Sequence, residues 1–266
     1  MKTSYLLKNW SAWRLIATCL ISAAIITGCG SVAGDISAGV GTGGTGTVVA
    51  SIAGTVADGY LVNATVFLDK NGNYQLDAGE PSTKSGENGA YKLDVDPADV
   101  GKHPLVALVI KDVTIDKDTN QAVTNSYVLS MPKDHVSGTA NTNFISPISS
   151  QLRELMETGR YTTVQQAADD LRTQMGLPAG MDMTANYIAV NHTDMHYTAQ
   201  NMATLMGNQM EHVMGMNGST ITVDVNRYRA MMEMIFSNMS TVSAPDNHTE
   251  MTHLHNTITT MLSNMH

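Results

Sequence analysis

Cysteine is almost missing from this chain: there are two in 266 residues, and one of them, Cys19, falls in an N-terminal stretch patterned like a removable leader. Without that residue no intramolecular disulfide can form, so stability must come from hydrophobic burial, which a chain of this length can supply. Several chemical signatures are lacking too. There is no CxxCH, which excludes a covalent c-type haem, and there is no P-loop, no GxGxxG opening a helix and no GxSxG elbow. Basic residues are scarce, with 15 Lys and Arg against 24 Asp and Glu. Losing Lys2, Lys8 and Arg14 with the leader leaves 12 cations and all 24 acids, a formal charge of −12. That balance argues against a nucleic-acid partner. Beyond the leader no apolar run is long enough to cross a bilayer, and no repeat recurs at a solenoid period.

What is present begins with an address. Residues 1–14 carry three cations and no acid, and Leu15 to Ile26 form an apolar run too short for a stable membrane span. The phrase Ile26-Thr27-Gly28-Cys29 that closes it resembles the bacterial lipobox, in which small residues admit the backbone to a peptidase and the cysteine sulfur takes a lipid. The resemblance implies a lipoprotein signal peptide over 1–28 and a lipidated Cys29 as the new N-terminus. Because Gly30, not Asp, follows, it also implies anchorage in the outer membrane. At ~0.8 kcal/mol per buried methylene, two or more acyl chains hold durably. Ordinary secretion and an uncleaved anchor are the competing readings. Residues 29–47 include GDISAGVGTGGTG, the composition of a flexible tether.

Two contrasting patterns follow, predicting an α+β protein in two domains. Over 48–145, short runs rich in Val, Thr, Tyr and Leu are broken at Asp58-Gly59, Asn71-Gly72, Asn88-Gly89 and Thr119-Asn120. These predict strands near Val48–Val56, Leu61–Leu68, Ala90–Val95, Leu105–Val113 and Ala122–Met131, assembled as an antiparallel β-sandwich. Over 146–266 the period becomes helical: Ile148, Leu152, Leu155 and Met156, then Ala167, Ala168, Leu171 and Met175. Further helices are predicted at Thr193–Met214, Asp224–Met239 and His248–Met265, giving a Met-rich helical bundle.

One loop carries candidate metal chemistry. Asp69, Asn71, Asn73, Asp77 and Glu80 stand at positions one, three, five, nine and twelve of Asp69–Glu80, and Gln75 at position seven offers a backbone carbonyl. Such alternation of hard oxygens suits Ca²⁺. A strand precedes the loop, Tyr74 replaces the sixth-position glycine of an EF-hand, and Pro81 follows, so this is not a helix-loop-helix hand. A solvated hairpin loop is the plainer alternative. ATVFLDKNGNYQLDAGEP and TKSGENGAYKLDV, within Ala64–Val95, resemble prealbumin-like modules of bacterial surface proteins, the SD-repeat B-type and carboxypeptidase regulatory-like domains. That resemblance implies a Ca²⁺-stabilised sandwich of structural or adhesive role, with Asp69, Asn71, Asn73, Asp77 and Glu80 as ligands. A weaker likeness, over Phe144 to about Ala189, is to a helical hairpin that follows such modules in exported bacterial proteins.

Sixteen of 19 methionines and seven of nine histidines lie from Met175 onward. Thioethers and imidazoles suit Cu(I). Met195, Met202, Met206 and Met210 nevertheless share one helical stripe, as do Met231, Ile235 and Met239, which predicts an adaptable core or a partner-binding groove. His192 and His196 have i,i+4 spacing, but no Glu follows His192, so a HExxH centre is absent and Asp194 is expected to cap the helix. These readings converge on a non-enzymatic, lipid-anchored envelope protein with a structural or partner-binding role. Alternatives are an envelope metal-handling protein that binds Cu(I) through Met and His, and an accessory subunit of a surface complex for electron transfer or export.

Overall fold

The structure is a computed structural model and describes residues 49–138, 142–217 and 220–265. The leader, Cys29, the tether and His266 lie outside the described residues. In chain order the strands of the first half are β1 (Ala50–Val56), β2 (Leu61–Val62), β3 (Thr65–Leu68), β4 (Ser82–Lys84), β5 (Ala90–Val95), β6 (Leu105–Val109), β7 (Ile115–Asp116), β8 (Gln121–Ala122), β9 (Tyr127–Met131) and β10 (Asn143–Ile145). They build a three-stranded sheet ordered β10-β1-β5, a four-stranded sheet ordered β4-β3-β6-β9 and a small sheet ordered β2-β7-β8. All pairings are antiparallel except β1 with β10, which is parallel.

Residue pattern explains which sheet is covered. In β5, Tyr91, Leu93 and Val95 point inward while Ala90, Lys92 and Asp94 face solvent, the alternation of a strand with one wet face. In β6 (LVALV) and β9 (YVLSM) every residue is buried, so the four-stranded sheet is covered on both faces there. Each Val or Leu so buried contributes about 2 kcal/mol relative to exposure.

The second half supplies that cover. Its elements are α1 (Pro147–Glu157), α2 (Val164–Gln174), α3 (Thr193–Val213), a hairpin of β11 (Met214–Asn217) and β12 (Thr220–Val223), α4 (Val225–Ser237), α5 (Met239–Ser243) and α6 (His248–Ser263). Ser146 starts α1: its hydroxyl accepts from Ser149 N–H, Ser149 returns a bond to Ser146 N–H, and Pro147 occupies the first turn. Pro147 through Leu155 are all buried, and α1 packs directly on β9.

Strand β9 lies at the end of its sheet, yet its outer edge is not left bare. Ser150 Oγ accepts from Ser130 N–H at 2.8 Å, Ser149 Oγ donates to Ser130 O at 2.6 Å, and Tyr228 of α4 donates to Val128 O at 3.1 Å. Helical side chains thus replace the missing neighbouring strand. The described residues fall in one compact unit, and the buried hydrophobic residues of strands and helices belong to one cluster. The fold is mixed α+β with a helical C-terminal region, as the two patterns predict.

The methionine stripes are core. Met195, Met202, Met206, Met210, Met231, Met232 and Met239 are all buried. Two details differ from the sequence reading. The cap of α3 falls at His192, without a side-chain bond, and Asp194 sits in the first turn, where its charge complements the helix dipole. Between the helices predicted at Thr193–Met214 and Asp224–Met239, where the sequence reading places no element, β11 and β12 pair antiparallel.

Candidate functional site

The acidic loop leaves β3 at Leu68 and reaches β4 at Ser82, and its first carboxylate is the most enclosed. Asp69 is fully buried. One oxygen, Oδ1, accepts from the N–H groups of Gly72 (2.8 Å) and Asn73 (3.1 Å), while Oδ2 accepts from Tyr74 N–H at 3.2 Å and from Arg153 Nη2 at 2.9 Å. The remaining oxygen residues form an outer set. Asn71 and Asn73 each donate an amide N–H to Asp77 Oδ2 at 2.8 Å, and Gln75 donates its backbone N–H to Asn73 Oδ1 at 2.8 Å. Glu80 closes the loop, accepting from Lys70 N–H at 2.6 Å and Asp77 N–H at 3.0 Å.

Tyr74 adopts φ of 63°, the left-handed conformation that a glycine would supply at that position. A non-glycine residue there costs roughly 1–2 kcal/mol. Contacts offset this: the ring is fully buried, lies 4.8 Å from Tyr228 and sits under the Arg153 guanidinium, whose Cζ is 3.8 Å from the ring centroid. Its hydroxyl donates to Glu154 Oε1.

Arg153 therefore joins the loop to α1. Besides Asp69 it binds Glu157 Oε1 through Nε at 2.8 Å, and Arg229 of α4 continues the chain of charges to Glu157 and Glu154. Burial opposes the Arg153 cation, but Tyr74, Glu157 and Asp69 outweigh it and raise its pKa. Burial dominates at Glu154 and pushes the carboxyl up to about 7, against the lowering effect of the Tyr74 hydroxyl. Tyr74 is likewise raised well above the ordinary phenol range by burial.

The six predicted loop residues thus share one turn but divide into two groups. Asp69 faces inward to Arg153, whereas Asn71, Asn73, Asp77 and Glu80 converge on the outer side, and Gln75 takes part through its backbone. Oxygen donors of this kind suit a hard cation, yet the four acceptor positions of Asp69 are engaged and its charge is matched by a guanidinium. Among the described residues no three His, Cys, Asp or Glu side chains form a group able to hold a metal ion. His196 does not pair with His192: its Nε2 lies 2.7 Å from Asp118 Oδ2, and its ring stacks on Tyr187. His255 bonds through Nδ1 to the buried Gln209 amide at 2.8 Å, while His248 and His253 are exposed.

Sequence reasoning missed Arg153, Glu154 and Tyr74 as a unit. Two signals pointed there: adjacent charges between Leu152 and Leu155 in an otherwise apolar stripe, and an aromatic at a position needing positive φ. No protein-family model, curated protein or solved structure matches this chain. No described helix is long and apolar enough to cross a membrane.

Proposed function

We propose that this chain is a lipoprotein of the outer membrane, held by lipid on Cys29 and serving a non-enzymatic structural or partner-binding role at the cell envelope. The observation that carries this reading is the leader ending in Ile26-Thr27-Gly28-Cys29, followed by a Gly-rich tether. Its body is read as a prealbumin-like sandwich of the two larger sheets, followed by a helical domain. A structural role is supported by where the deepest charges go: Asp69, Arg153 and Glu154 tie a loop to two helices. Mass spectrometry of the native protein is expected to show loss of residues 1–28 and acyl mass on Cys29. An unmodified thiol, or Met1 still in place, overturns the anchor.

Ca²⁺ is proposed as a brace on the outer side of the loop, held by Asn71, Asn73, Asp77 and Glu80. Turning the two asparagine amides over presents their oxygens beside Asp77, at the cost of the bonds that Asn71 Oδ1 and Asn73 Oδ1 accept from the N–H groups of Asn73 and Gln75. Asp77→Ala should then lower Tm with Ca²⁺ present and leave it unchanged in chelator. Asp69→Ala should lower Tm in both, because it strands Arg153. Equal loss in both conditions for Asp77→Ala removes the brace.

A second reading, Cu(I) handling, draws support from a cavity of about 610 Å³ whose lining includes Met210, Met214, His212 and His255. Anaerobic Cu(I) titration decides it: uptake lost in Met210→Leu and Met214→Leu favours this reading, and absence of uptake removes it. An accessory role in a larger surface complex predicts co-purification of a partner with the anchored protein.

A further inference from the structure

A separate cavity of about 400 Å³ lies between the β2-β7-β8 sheet, the start of β9 and helix α3, away from the acidic loop. Its lining includes Asp58, Asp116, Asn125, Gln200, Thr204 and Asn208, and no lysine, arginine or histidine is among the lining residues. Asp58 is only 9 % exposed. Its Oδ2 accepts from the Tyr127 hydroxyl, which also lines the cavity, while its Oδ1 is buried and accepts no hydrogen bond. Leaving a buried carboxylate oxygen without a donor is costly unless something else meets it.

Two more carboxylates approach the same place. A Cβ added to Gly59 would stand 2.5 Å from Asp116 Oδ1 and 2.6 Å from Asp118 Oδ2, so both carboxylates close directly on the chain at Gly59. Asp118 is bonded to His196 and to Gln200 Nε2, the latter at 2.8 Å, and Asp116 Oδ1 accepts from Asp118 N–H at 2.9 Å. Tyr187 donates to the backbone carbonyls of Ala57 and Asp58, fixing the Asp58 segment from below, and Lys117 points away to Asn120 and Glu87. Burial, with Asp116 and Asp118 nearby, pushes the Asp58 carboxyl up to about 7, while the Tyr127 bond pulls the other way. Acid therefore accumulates at one end of a cavity whose other walls mix amides and hydroxyls with Ala122, Val123 and Ala203.

We propose that this cavity binds a small polar organic cation, a primary ammonium on a hydroxylated carbon chain, with the ammonium on Asp58 and Asp116 and the hydroxyls on Asn125, Gln200 and Asn208. The volume falls in the range of small-molecule sites, and a bare metal ion would leave most of it unfilled. An ammonium meets Asp58 and Asp116 where they line the cavity, and its charge offsets the carboxylates that otherwise repel one another. This goes beyond the anchoring role and does not depend on it.

The test compares glucamine with sorbitol, which differ only in an ammonium against a hydroxyl, by calorimetric titration of the full chain in detergent. Glucamine is expected to bind and sorbitol to bind about tenfold or more weakly. Asp58→Asn keeps the acceptor for Tyr127 but removes the charge, and should weaken glucamine about tenfold or more; Asp116→Asn is a second variant in a less buried position. Affinity should rise on the order of tenfold from pH 5.5 to pH 8 as Asp58 ionises, and Asp58→Asn should flatten that rise. The proposal is overturned if neither compound binds at tens of millimolar, if the two bind alike, or if both variants retain wild-type affinity. Binding of Ca²⁺ alone that both variants abolish, with no response to glucamine, overturns it in favour of a metal.

Discussion

Arg153 shows what a single buried charge can do. It is 1 % exposed, yet its guanidinium touches Asp69, Glu157 and the Tyr74 ring, so it balances one fully buried carboxylate while holding an aromatic in a left-handed backbone conformation. Replacing it with methionine keeps much of the side-chain volume but leaves Asp69 buried without a counter-charge, which costs about 3–5 kcal/mol. Urea unfolding of Arg153→Met should therefore show a large fall in midpoint. Adding Asp69→Asn should recover part of the loss, because the second change removes the stranded charge. Full additivity of the two substitutions would contradict direct coupling between them.

The strands and helices that position these residues were largely legible in the sequence. Helical spacing placed α1, α2, α3, α4 and α6 because their apolar stripes are long, and the β6 run and the β5 alternation are strong local patterns. What could not be read were the pieces whose existence depends on distant partners. Strand β4 (Ser82–Lys84) is three polar residues long and is a strand only because it pairs with β3. Strand β10 forms by parallel pairing with β1, some 90 residues earlier, a contact that local periodicity does not encode. In the candidate site the loop oxygens were visible from spacing. Their division was not, because Arg153 lies 84 residues from Asp69. Element scale also yields a test, at the covered edge of β9. Ser150→Ala removes the acceptor for the Ser130 N–H and leaves a buried donor unpaired, at about 1–3 kcal/mol. Thermal melts should show that loss. Hydrogen exchange should place it at the Ser130 amide, and unchanged protection there would mean the strand edge is sealed without the serine.

For the molecule as a whole, the sheets and helices meet through groups whose protonation differs between the folded and unfolded chain. Asp58 and Glu154 lie at two such seams, Asp58 bonded to Tyr127 of β9 and Glu154 to Tyr74 in the acidic loop. Both are raised to about 7, from ordinary values of 3.8 and 4.5, chiefly by burial. Between those values and about 7 the folded state holds protons that the unfolded chain has released. Stability from these groups is therefore complete below about pH 4 and is lost as pH rises through 7. Each contributes on the order of 3 kcal/mol to that slope. Asp99 and Asp169 are shifted the other way, Asp99 by Lys70 and Asp169 by Arg172, but their contribution is lost below pH 4 and leaves the higher window alone. The protein should thus melt at a higher temperature at pH 5 than at pH 8, opposite to the usual loss of stability in acid. Asp58→Asn and Glu154→Gln keep the hydrogen-bonding shapes but remove the titration, so each should flatten part of the slope and the double variant most of it. If the wild-type protein were equally stable at the two pH values, neither carboxyl would be held protonated in the fold, and Arg229 would be neutralising an ionised Glu154 instead.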